Sequence, residues 1–78
     1  MAEVVLYGRP GCHLCDEARA AILAFDGVEV RDVDIESDDA LFRSMLERIP
    51  VVEVEGRVVS ELEFNRDAFS AVLHTLSP

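Results

Sequence analysis

The sequence predicts an α/β fold of order β-α-β-α-β-β-α, built on a four-stranded mixed sheet. A short continuous apolar run occurs at Val4–Tyr7, as a buried strand shows, and Val51–Val54 with Val58-Val59 flanks a tight turn. Three other segments repeat their apolar residues at three- and four-residue steps, the mark of helices with one apolar face. A strand, a helix and a strand in succession require parallel pairing through a right-handed crossover, whereas the tight turn at Glu55-Gly56 requires two antiparallel strands.

The first strand, Val4-Val5-Leu6-Tyr7, ends in the turn residues Gly8-Arg9-Pro10-Gly11. From Cys12 the period changes, and Leu14, Ala18, Ala21, Ile22 and Phe25 mark the apolar face of a helix that Gly27 is expected to cap. Val28-Glu29-Val30 alternates, and Val33 and Ile35 resume the alternation after Arg31-Asp32, which predicts a second strand of uneven register. Ser37 is the expected N-cap of the next helix, with Asp38 and Asp39 in its first turn, where carboxylates meet the positive end of the helix dipole. That helix carries Leu41, Phe42, Met45, Leu46 and Ile49, and Pro50 ends it. Val51–Val54 and Val58-Val59 form the hairpin. Asn65 caps the last helix, whose stripe is Phe69, Val72, Leu73 and Leu76.

With 78 residues, 50% hydrophobic and 29% charged, the chain suits one domain over residues 1–78 sharing a single core. Collagen-like and disordered readings fail on 4 Gly, 3 Pro and a high aliphatic content. No apolar run approaches the roughly 20 residues that span a bilayer. The first apolar run, after Met1-Ala2-Glu3, is too short for a signal peptide, so the expected location is cytoplasmic. Seven basic residues, all Arg, against 16 acidic ones give a net charge of -9, which disfavours nucleic acid and anionic membrane surfaces as partners. The protein is expected to be a monomer.

Two cysteines are too few for a disulfide scaffold, and in a reducing cytosol a close pair is more often catalytic or metal-binding. Cys12 and Cys15 lie at the junction of the first strand and first helix, near neighbours on one face, able to close a small disulfide ring or hold one metal. The helix N-terminus stabilises an anion, so Cys12 is the natural thiolate. A fall in its pKa from about 8.5 to about 7 would raise the thiolate fraction at neutral pH from roughly 3% to 50%, a gain largely returned in lower nucleophilicity. His13 would tune Cys12 when protonated. Asp16 and Glu17 would oppose the thiolate, and Arg9 and Arg19 would offset them. A structural zinc usually takes four ligands, and only His13 and His74 remain as candidates, so no metal or cofactor is expected within one chain.

The segment Leu6-Tyr7-Gly8-Arg9-Pro10-Gly11-Cys12-His13-Leu14-Cys15-Asp16-Glu17-Ala18 resembles the active-site segment of the small glutaredoxin-like proteins of the thioredoxin-fold superfamily, in the branch whose motif reads Cys-His-Leu-Cys. The element order, Val33–Ile35 and Ile49-Pro50-Val51 are similar as well, the last to the family's cis-proline loop. The resemblance implies a thioredoxin-like fold of glutaredoxin type, with Cys12 as nucleophile and Cys15 as resolving thiol. It implies that Arg9, Ile49 and Pro50 contact the substrate, the Ile49 backbone being free to pair with an extended segment. The expected function is that of a thiol-disulfide oxidoreductase or electron carrier, with a disulfide-containing protein or small thiol as substrate and an unknown reductant. The alternative is a non-catalytic binding module, or a metal or cluster shared between chains through the same loop. Where ordinary glutaredoxins carry a Gly-Gly-Asp segment for glutathione, this chain has Ser60-Glu61-Leu62-Glu63. Side chains in place of two Gly narrow the backbone approach and two carboxylates oppose an anionic tripeptide, which counts against glutathione.

Overall fold

Strand β1 (Ala2–Gly8) is the axis of the sheet, paired on one side with β2 (Val28–Asp34) and on the other with β3 (Val51–Val54), beyond which β4 (Arg57–Ser60) forms the edge. The computed structural model describes residues 1–76. Helices α1 (His13–Leu23), α2 (Asp39–Met45) and α3 (Arg66–Leu76) complete the order read from the sequence. β1 and β2 run parallel from Ala2 opposite Val28 to Gly8 opposite Asp34, with α1 as the crossover. β3 runs antiparallel to β1, Val51 opposite Tyr7, and pairs with β4 through a turn at Glu55 and Gly56, both at positive φ (50° and 83°). Two such residues in succession give the turn the twist its strands need.

Alternation along the strands sets the core. Val4 and Leu6 of β1 and Val52 and Val54 of β3 point to the side where Ala18 and Ile22 of α1 and Phe69 of α3 meet them, all at most 1% exposed. Ala at position 18 lets α1 lie close on the sheet, and the rings of Phe25 and Phe64 pack on Phe69 with centroids 5.1 and 5.4 Å away. No described helix is long and apolar enough to cross a membrane.

Several local expectations are corrected. α1 ends at Leu23 with Ala24 as its cap, not at Gly27, because the chain leaves the helix to bring Phe25 against Phe69; Gly27, at φ 75°, instead turns the chain into β2, its carbonyl accepting the Ala2 N–H. β2 has an even register through Asp34, and Ile35 is not part of it. Ile35 opens a 3₁₀ turn, Ile35–Ser37, which buries it completely while the Asp34 carboxylate accepts the Glu36 N–H. Ser37 donates its hydroxyl to the Asp34 carbonyl, so Asp38 caps α2 in its place, accepting from Ala40 and Leu41 at 2.8 and 3.1 Å. α2 stops at Met45, leaving Ile49 in the following turn. Leu14 and Leu76, expected on apolar faces, are 50% and 46% exposed. Asn65 caps α3 as read, accepting the Ala68 N–H at 2.9 Å.

Candidate functional site

The turn from β1 to α1 assembles the site. Pro10 and Gly11 reverse the chain, Gly11 at φ 79° where a side chain would be strained, and the Cys12 N–H donates to the Arg9 carbonyl. Cys12 has extended backbone (φ −83°, ψ 106°) and is the N-cap of α1, its Sγ accepting the Cys15 N–H at 3.2 Å. One turn on, Cys15 faces inward, 2% exposed, whereas Cys12 is half-buried. Their sulfurs are bonded in a disulfide, with Cα atoms 5.2 Å apart. Sulfur thus occupies the capping position that an oxygen usually fills, at the end of the helix where negative charge is stabilised.

Gly8 is a part of this arrangement that its position among turn residues does not announce. A Cβ there would lie 3.0 Å from Cys15 Sγ and 3.1 Å from Cys15 Cβ. Only a residue without a side chain lets the end of β1 approach the inner cysteine this closely. Gly8→Ala is expected to destabilise the oxidised protein by about 1–3 kcal/mol, the range of an overpacked core. A urea midpoint equal to the parent's would show that α1 yields freely at Cys15.

The residues singled out in the sequence fall into two groups. Val51 pairs with Tyr7, so Pro50 comes beside Gly8, and with it the disulfide and the Ile49-Pro50 loop share one end of the sheet. The Ile49-Pro50 bond is cis, Pro50 is buried and Ile49 is half-buried. The expectation of a free Ile49 backbone needs correction, because its N–H donates to the Met45 carbonyl at 3.0 Å; what it has to offer is its carbonyl. Arg9 leaves the same turn, but its guanidinium is held 2.8 Å from Glu36 and lies over the Phe42 ring, 5.7 Å from the centroid. His13 turns outward, its side chain 87% exposed and its Nε2 3.9 Å from Glu17.

Charges around the site are mostly neutralised within the chain. Arg19 joins α1 to β2 through Asp32 at 2.7 Å and also reaches Asp16 at 3.4 Å; the hydrogen bond to Asp32 is the main reason its pKa is raised. Arg48 pairs with Glu61 through two hydrogen bonds of 3.1 and 2.8 Å, which hold the Glu61 carboxyl below its ordinary range. The Arg48 carbonyl also accepts the Leu62 N–H at 2.8 Å, so the loop before Pro50 is tied to the Ser60–Glu63 stretch. On the other face of the sheet, burial and then the neighbouring Glu53 carboxylate raise the Tyr7 pKa, and the Tyr7 hydroxyl donates to Glu53 at 3.2 Å. Among the described residues no group of three or more His, Cys, Asp or Glu is gathered as a metal would need.

A protein-family model described as a glutaredoxin-like domain (DUF836) matches residues 3–74. Among solved structures, a Nitrosomonas europaea protein determined in solution is 28% identical, with 91% of this chain and 89% of that one covered and a TM-score of 0.80. A crystal structure of an X. campestris protein is 32% identical over 96% of this chain and 99% of its own, with a TM-score of 0.79. A glutaredoxin from Brucella melitensis is 25% identical over 97% of this chain and 83% of its own, with a TM-score of 0.61. No curated protein matches.

Proposed function

Because the chain belongs to the glutaredoxin-like domain family, whose model spans residues 3–74, we propose that it is a thiol-disulfide oxidoreductase or electron carrier cycling Cys12 and Cys15 between dithiol and disulfide. The observation that supports this reading most is the bonded pair itself, with its outer sulfur at the N-terminus of α1 and its inner sulfur buried. In the reduced protein the Cys12 thiolate, stabilised by the helix terminus, attacks one sulfur of a substrate disulfide. A Cys12–substrate disulfide forms and the first substrate thiolate leaves. Cys15 then gives up its proton and attacks Cys12 Sγ, the mixed disulfide breaks, and the second substrate thiolate departs. Two electrons have passed to the substrate, and a thiol reductant must return them.

The substrate in this reading is a disulfide-bearing protein or small thiol, and the compartment is the reducing cytosol, in which close cysteine pairs are redox-active. Arg9, Ile49 and Pro50 line its approach, and His13 acts on Cys12 through its charge. The test is to equilibrate the protein in graded mixtures of reduced and oxidised glutathione, extended to lower potentials with reduced and oxidised dithiothreitol, with alkylation of the free thiols. A reversible two-electron transition, and faster alkylation of Cys12 than of Cys15 in the reduced form, are expected. A pair that does not change state across the whole series would sink the reading.

A further inference from the structure

Along α1 lies a groove of about 250 Å³ lined by Leu14, Glu17, Ala18, Ala21, Glu63 and Phe64. It begins within the cysteine loop, because Leu14 stands between the two bonded residues. Its floor is apolar, and Leu14 keeps 50% of its surface exposed although it belongs to α1. Its rim is acidic. Glu63 has no cation partner among the described residues, and Glu17 has only the His13 ring at 3.9 Å. No arginine among the described residues lines the groove, and the arginines of the two adjoining helices are engaged elsewhere, Arg19 of α1 with Asp16 and Asp32 and Arg66 of α3 over the Phe25 ring. In this groove an anionic small thiol therefore meets carboxylates and no guanidinium, whereas a cation beside an apolar side chain finds a complement for both.

Resting on the redox reading above, we propose that the substrate is a polypeptide segment whose cysteine is flanked by an apolar and a basic residue. The apolar side chain enters the groove between Leu14 and Phe64, and the basic one meets Glu17 and Glu63. The exchange step is unchanged, and the groove sets which disulfide is delivered to Cys12.

The experiment follows oxidation of the reduced protein by synthetic peptide disulfides that differ only in the pair beside the cysteine: Leu-Arg, Leu-Glu and Ser-Arg. Leu-Arg should react about tenfold faster than Leu-Glu at low ionic strength, and the ratio should shrink in 0.5 M salt, added at about that level to screen the rim. It should shrink also in a Glu17→Gln/Glu63→Gln variant. Leu-Arg should outpace Ser-Arg, and Leu14→Ser should narrow that difference. Equal rates for Leu-Arg and Leu-Glu, with the protein still oxidised by 2-hydroxyethyl disulfide, would overturn the proposal alone. Failure with 2-hydroxyethyl disulfide as well would remove the redox reading beneath it.

Discussion

Cys12→Ser is expected to abolish disulfide exchange, by on the order of 10³-fold or more, because a hydroxyl supplies no thiolate and forms no disulfide. Cys15→Ser, by contrast, should retain the first attack and accumulate the protein as a mixed disulfide with its substrate. The comparison is clean at Cys12, since that residue is the N-cap of α1 and Ser is among the best residues for that position. The start of the helix is therefore preserved while the chemistry is removed. Non-reducing mass spectrometry after incubation with a peptide disulfide reads both outcomes, and thermal melting of the reduced proteins confirms that each variant folds. An active Cys12→Ser beside an inactive Cys15→Ser would exchange the roles of the two sulfurs.

Phe69→Ala is expected to remove a large part of the stability. Phe69 is fully buried, joins α3 to the sheet and holds the rings of Phe25 and Phe64 against it. Truncating such a ring costs about 3–5 kcal/mol. A chain of 78 residues has only about 4–12 kcal/mol in all, on a typical per-residue stability of 0.05–0.15 kcal/mol. The variant should unfold at a much lower urea concentration with a similar slope, or be substantially unfolded without urea. A midpoint within about 1 kcal/mol of the parent's would mean that the aromatic cluster contributes far less than its burial implies.

The element order and the cysteine pair were legible because each rests on local signals: the change of period at Cys12, the turn residues before it, and the Glu55-Gly56 turn of the hairpin. What lay beyond reach depends on distant packing. Nothing near Gly8 indicates that Cys15 will lie against it, because that contact follows from how α1 crosses the end of β1. Ser37 and Asp38 are equally good capping residues, and the choice between them was made by the Asp34 carbonyl, which takes the Ser37 hydroxyl. The alternation of Val33 and Ile35 reads as strand, yet a 3₁₀ turn buries Ile35 just as well. The partners of Arg9 and Arg48, Glu36 and Glu61, are distant in sequence and carry no signal in it.

Among the described residues Ser60 is the one buried polar residue, and its hydroxyl joins the end of β4 to the segment that leads into α3: it donates to the Glu63 carbonyl at 3.2 Å and accepts the Asn65 N–H at 3.0 Å. The connection is thereby fixed from inside, while the Leu62 N–H is fixed from the Arg48 carbonyl. Glu61 adds its own tie through Arg48, but the backbone path at Leu62 and Glu63 owes little to the side chains it carries, and Leu62 sits at φ 62°, a conformation glycine adopts at least as readily. Such a loop can exchange its outward residues without reopening the fold. The outward side chains at Leu62 and Glu63 are therefore the replaceable part of this connection, and the Ser60 hydroxyl beneath them is the part that has to stay.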